Sequence, residues 1–92
     1  MKTVYEALSH PVRRKILKLL REKIMSAGDI SDNFQLSKST LTGHFLVLKA
    51  ADLVETERSG TTIFYSLKLS VLESAIAALI DQFDIKSLGD DK

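Results

Sequence analysis

Between Ser37 and His44, seven of eight residues are small or polar: Ser37, Lys38, Ser39, Thr40, Thr42, Gly43 and His44, interrupted by Leu41. The chemistry they offer is hydrogen bonding at close range. Short hydroxyls can pair with base edges or phosphates, and a helix starting here adds the unpaired N–H groups of its first turn, which favour a phosphate. In a helix-turn-helix, the N-terminal residues of the second helix are the ones that reach the bases. Gly43 costs its helix about 1 kcal/mol relative to Ala, a loss that close approach of the backbone to a duplex would offset. His44 borders the apolar stripe of the helix, so it is either a structural histidine or a contact to base or phosphate. Further along, Arg58 flanks Ser59-Gly60 together with Thr61 and Thr62, and offers a cation to phosphate or minor groove at a hairpin tip. Catalytic constellations are missing. There is no nucleophile with a base at recognisable spacing, no glycine-rich phosphate loop and no carboxylate pair outside helix surfaces, so no enzymatic activity is expected.

Holding such groups in place takes a helix pair and a hairpin, and the apolar pattern supplies both. Val4, Tyr5 and Leu8 recur at helical spacing and predict a short first helix, which Ser9-His10-Pro11 interrupts. Proline suits a first helical position because its missing N–H would have had no partner there. A second helix follows from Pro11 to about Glu22, with Val12, Ile16, Leu19 and Leu20 as its stripe. Arg14, Lys18 and Arg21 fall on its opposite face, either as contacts to a nucleic-acid backbone or as a solvated surface. Ser26 caps a third helix, with Asp29 near its positive end and Ala27, Ile30 and Phe34 as its apolar positions. After a turn at Gln35-Leu36, Ser37 caps a fourth helix running to about Ala51, with Leu41, Phe45 and Leu48 toward the core. Two such helices joined by a short turn form a helix-turn-helix. Lys49, near the end of the fourth helix, is not counted among the expected contacts.

Leu53 to Glu57 alternates apolar and polar residues, and Thr61 to Leu67 is rich in β-branched and aromatic ones, so the two read as a hairpin turning at Ser59-Gly60. Gly60 supplies the permissive φ of that turn. Ser70 then caps a last helix carrying Val71, Leu72, Ala75, Ile76, Leu79, Ile80 and Phe83, a wide apolar surface for a terminal element. The residues at 86–92 read as a frayed tail.

A chain of 92 residues reads as one domain that buries only about 60–65% of the surface it would expose unfolded. Cysteine is absent, which excludes disulfides, thiolate metal sites and thiol-based redox sensing. Pairing of two copies is the remaining common way to bury more surface. The first residues lack the apolar core of a signal sequence, and no apolar run approaches the roughly 20 residues that span a bilayer. A cytoplasmic location without stable membrane insertion is therefore expected. The net charge of +1 conceals a gradient: residues 1–25 carry seven Lys/Arg against two Glu, and residues 70–92 carry two Lys against five acids. A basic front and an acidic back suit a protein that lays one face on a polyanion.

Three stretches, in order and at matching spacings, make the chain resemble the ArsR family of bacterial repressors over roughly residues 4–83. Ala7-Leu8-Ser9-His10-Pro11-Val12-Arg13-Arg14-Lys15-Ile16-Leu17 resembles the family opening A-L-x-D-P-x-R-x-x-I-L. Leu36 to Leu48 is similar to its recognition helix, L-S-x-S-T-V-S-x-H-L-x-x-L. Asp52-Leu53-Val54, Arg58-Ser59-Gly60 and Tyr65-Ser66-Leu67 match its G-L-V, R-x-G and Y-x-L. Four departures stand out. His10 replaces the usual Asp and is a poorer N-cap; Asp52 replaces a Gly at a turn; Gly43 replaces a residue often basic or otherwise able to contact DNA, and Thr61 one that is often Arg. The chain is most similar to the family's metal-free, autorepressor-like members. The family's soft-metal site would need closely spaced Cys on the third helix, and its zinc site would need His on the last; neither is present, so no metal or cofactor is expected.

The resemblance implies a mainly α fold with a small β-hairpin, a winged helix-turn-helix in the order ααααββα. It implies a sequence-specific regulator of double-stranded DNA, most simply a repressor or autorepressor on a near-palindromic operator. Ser37, Lys38, Ser39, Thr40, Thr42, Gly43, His44, Arg58 and Thr61 are the expected DNA contacts. Val4, Tyr5 and Leu8, with Val71, Leu72, Ala75, Ile76, Leu79 and Phe83, are the expected homodimer interface. Relief of repression would take a protein or small-molecule inducer that binds the DNA-free shape better. The competing reading is a winged-helix module that binds a protein through the apolar last helix, without specific DNA binding.

Overall fold

The computed structural model describes residues 2–85; the tail at 86–92, expected to fray, lies outside the described residues. Helix α1 (Lys2–Leu8) leads into α2 (Pro11–Glu22), with His10 between them as the α2 N-cap. The imidazole fills the place of the usual carboxylate: its Nδ1 accepts the Val12 N–H at 3.1 Å. The inner face of α2 is Ile16, Leu17 and Leu20, so the stripe is turned by about one residue from the one expected, and Val12 and Leu19 only flank the core. Helix α3 (Ala27–Ser31) starts on a capping box in which Ser26 Oγ accepts the Asp29 N–H and Asp29 accepts the Ser26 N–H. The helix ends before Phe34, which packs against the core from the following turn.

Helix α4 (Lys38–Ala50) is capped by Ser37 and stopped by a Schellman motif. The Leu53 N–H reaches Leu48 O and the Asp52 N–H reaches Lys49 O, which places Asp52 in the left-handed region at φ 62°. Glycine would accept that conformation freely; here Asp52 holds it and takes Lys68 Nζ at 2.8 Å on its carboxylate. Leu48 and Leu53, brought together by the motif, are fully buried.

Strands β2 (Val54–Ser59) and β3 (Thr62–Leu67) form the hairpin in a register that pairs Ser59 with Thr62. The turn is therefore Gly60-Thr61, one residue later than expected, with the positive φ falling on Gly60 alone. Met25–Ser26 forms an additional strand, β1, which pairs antiparallel with β3 and makes a three-stranded sheet in the order β1-β3-β2. Last comes α5 (Leu69–Gln82). It begins before Ser70, so Ser70 is not its cap. The Lys68 N–H is tied to Leu53 O at 2.9 Å, and the chain enters the helix directly from that anchor with no side-chain cap.

Ile16, Ile30, Leu41, Leu48 and Leu53 form the centre of the core, one or more from each of α2, α3, α4 and the start of the hairpin. Phe45 of α4 packs on Tyr65 of β3 with ring centroids 4.7 Å apart, which fixes the hairpin against α4. Helix α5 is different: none of its residues is fully buried. No helix among the described residues is long and apolar enough to cross a membrane.

Candidate nucleic-acid interface

The start of α4 is organised by its own hydroxyls. Ser37 Oγ accepts the Thr40 N–H at 3.1 Å and lies 2.9 Å from Thr40 Oγ1 and 3.2 Å from Ser39 Oγ. Ser37, Lys38, Ser39, Thr40, Thr42 and Gly43 are all exposed, while Leu41, Phe45 and Leu48 on the inner face are buried. The helix thus presents a row of short donors and acceptors, held by a cap and backed by a rigid apolar face. A Cβ built on Gly43 would meet nothing within 4 Å, so no packing inside the protein requires glycine there.

His44 is placed otherwise than its neighbours. It is half-buried, its ring centroid 4.5 Å from that of His10 and its Nδ1 3.1 Å from Arg13 Nη1. Arg13 in turn donates from Nε to Ala7 O at 2.9 Å and from Nη2 to Glu6 O at 2.9 Å. One guanidinium therefore satisfies two carbonyls at the end of α1 and fastens both to α4. Guanidinium has only donors, so His44 Nδ1 is an acceptor and the ring proton sits on Nε2. His10 is locked the same way, since its Nδ1 already accepts from Val12. Burial first, then the charges of His10 and Arg13, hold the His44 pKa below the ordinary histidine value. Its Nδ1 is engaged structurally, and the polar group left to the ring is the Nε2–H donor.

Sequence reasoning assigned no role to Arg13. The signal was present: Arg13, Ile16, Leu17 and Leu20 follow i, i+3, i+4, i+7, which puts this one cation on the inner side of α2.

At the hairpin, Arg58, Ser59, Gly60, Thr61 and Thr62 are exposed in succession around the two-residue turn. No hydrogen bond among the described residues links Arg58 or Thr61 to the α4 cluster, so the tip is a separate exposed surface. Arg14, Lys18 and Arg21 are exposed on α2 beside α5 rather than beside α4. Of the residues expected at a dimer interface, Val4 is buried in the core of the chain, and Leu8, Val71, Leu72 and Ala75 are partly buried against it. Tyr5, Ile76, Leu79 and Phe83 remain exposed, at 42%, 44%, 37% and 67%. Among the described residues no three His, Cys, Asp or Glu come together as a metal site.

A capped polar helix, a preceding short helix at turn distance and a hairpin packed on its back are the parts of a winged helix-turn-helix. The family model described as "Bacterial regulatory protein, arsR family" matches residues 10–56, from the α2 cap into β2. The chain belongs to the ArsR family. It is 43% identical over 76 residues to the transcriptional repressor SdpR of Bacillus subtilis (strain 168), covering 83% of this chain and 84% of that protein. A crystal structure described as a possible transcriptional regulator for arsenical resistance superimposes with a TM-score of 0.77 at 30% identity, covering 88% of this chain and 83% of that one. The transcriptional repressor BigR from Xylella fastidiosa superimposes at 0.71 with 29% identity, covering 92% and 87% of the two chains. As an ArsR-family member the protein is a DNA-binding transcriptional regulator and not an enzyme.

Proposed function

We propose that the protein is a homodimeric repressor that places α4 of each copy in the major groove of a near-palindromic operator. Half-sites would lie about one helical turn, ~34–36 Å, apart. The observation that carries this reading is the row of exposed hydroxyls from Ser37 to Thr42, with an open backbone at Gly43 that internal packing does not explain. Ser37, Ser39, Thr40 and Thr42 contact bases and phosphates, and Lys38 neutralises a phosphate near the helix N-terminus. His44 contributes a donor from Nε2 while Arg13 holds its ring. Arg58 and Thr61 grip the flanking backbone from the wing.

The exposed Tyr5, Ile76, Leu79 and Phe83 support a dimer formed through α1 and α5, because a chain this small gains stability by covering such a face. Repression follows from occlusion of the promoter. The same apolar face is what a protein-binding module without DNA specificity would use, and one experiment separates the two. Selection from a pool of random duplexes should enrich a two-fold symmetric site, and Lys38→Ala combined with Arg58→Ala should abolish binding to it while sedimentation still shows the dimer. Wild-type affinity in the double variant would refute the contact assignment, and failure to enrich any sequence would favour the protein-binding module.

A further inference from the structure

The basic face of α2 borders a groove whose three cations the DNA-binding reading leaves unused, although Ile76 at its edge also belongs to the proposed dimer face. Between α2 and α5 lies a cavity of about 360 Å³, within the roughly 300–1,000 Å³ of small-molecule sites. Its apolar lining comes from four elements: Leu8 of α1, Leu17 of α2, Leu67 of β3, and Leu72 with Ile76 of α5. Along one side run Arg14, Lys18 and Arg21, at i, i+4 and i+7 on α2. Like charges at these spacings weaken a helix, so their alignment calls for a compensating anion. Among the described residues no ion pair supplies one: the single ion pair is Lys68–Asp52, Glu22 borders Arg14 and Lys18 without pairing with either, and Arg14 is engaged only through a hydrogen bond to Leu8 O at 2.9 Å. Nor do these cations belong to the α4 cluster, since no residue of α4 or of the wing tip lines the groove.

We infer that this groove binds a small amphipathic organic anion, an unbranched acyl chain lying on Leu17, Leu67 and Leu72 with its carboxylate against Lys18 and Arg21. Chain and charge are both required. The apolar lining has no polar partner to offer a buried head group, and the cations have no apolar contact to offer without the chain. Arg14, already donating to Leu8 O, closes the end of the groove nearest α1.

The test uses the full-length chain and decanoate, followed by displacement of a fluorescent fatty-acid probe. Binding should saturate at one site per chain. Decanol, which lacks the charge, and acetate, which lacks the chain, should each compete at least tenfold more weakly. Lys18→Gln with Arg21→Gln should weaken decanoate at least tenfold, with circular dichroism and affinity for duplex DNA unchanged. Several results would overturn the site: non-saturable binding, equal competition by decanol, undiminished binding by the double variant, or no binding because a second copy fills the groove. A parallel loss of DNA affinity in the double variant would also overturn it, by assigning these cations to the DNA face. The decanoate titration contains no DNA, so its outcome is independent of whether the repressor reading holds.

Discussion

Gly43 is the residue at which stability and function pull apart. It lies in the middle of α4, where glycine costs about 1 kcal/mol relative to alanine, and the space around its missing Cβ is empty. Gly43→Ala should therefore raise the unfolding free energy by about 0.5–1 kcal/mol while weakening operator binding, as read from denaturant melts and DNA titrations of the same sample. A variant that gains stability and binds DNA unchanged would show that the duplex does not approach the backbone there. The hydroxyl-rich face around Gly43 was legible in the sequence because its apolar partners Leu41, Phe45 and Leu48 fix the helix phase. Arg13 carried a signal in its spacing with Ile16, Leu17 and Leu20, but a cation on a basic helix is normally read as solvated surface, and its partners, Glu6 O, Ala7 O and His44, lie on other elements that the spacing does not show.

Between elements, the Arg13–His44 contact makes the seating of α4 against α1 and α2 dependent on protonation. The folded state holds His44 below its ordinary pKa, so below about pH 6.5 the unfolded chain binds more protons than the folded one. Stability contributed by this group is complete above that pH and is lost as pH falls toward the lowered folded value. Thermal melts at pH 7.5 and 5.5 should show a drop in Tm that shrinks in His44→Asn, which keeps an acceptor for Arg13 but does not titrate. Equal drops in both proteins would remove His44 as the source. The same scale shows why some elements could be read in advance and others could not. Ser26 and Ser37 announced their helices because capping is local chemistry of two to four residues. Strand β1 is only Met25–Ser26, too short to show any alternation, and exists because β3 offers it a free edge. The start of α5 was misplaced at Ser70 because the anchor that sets it, Lys68 N–H on Leu53 O, joins residues fifteen apart.

At the scale of the whole molecule, the exposed face of α5 and the polar face of α4 call for different partners. Leu79 and Phe83 lie outside the core that holds Val4, Ile16 and Leu48, so charging them leaves the protomer intact. Leu79→Glu with Phe83→Glu should convert the proposed dimer to folded monomers by sedimentation equilibrium and, with one half-site per particle, lower operator affinity by orders of magnitude; a persistent dimer would place the interface elsewhere. The proposed dimer also bears on how the protein would hold DNA. With Gly43 and Thr61 uncharged, each copy would offer few phosphate contacts, and on this reading two copies act together. The most direct measurement of that claim is the affinity for the selected duplex as a function of salt between 50 and 200 mM. Neutralised phosphates release counterions, so log affinity should fall linearly with log salt, with a slope of about −0.9 for each phosphate contacted. A dimer using Lys38, Arg58 and the α4 N-terminus of both copies should give a slope of roughly −4 to −6. Affinity that does not change across this range, or no association with duplex DNA at any salt, would contradict the account.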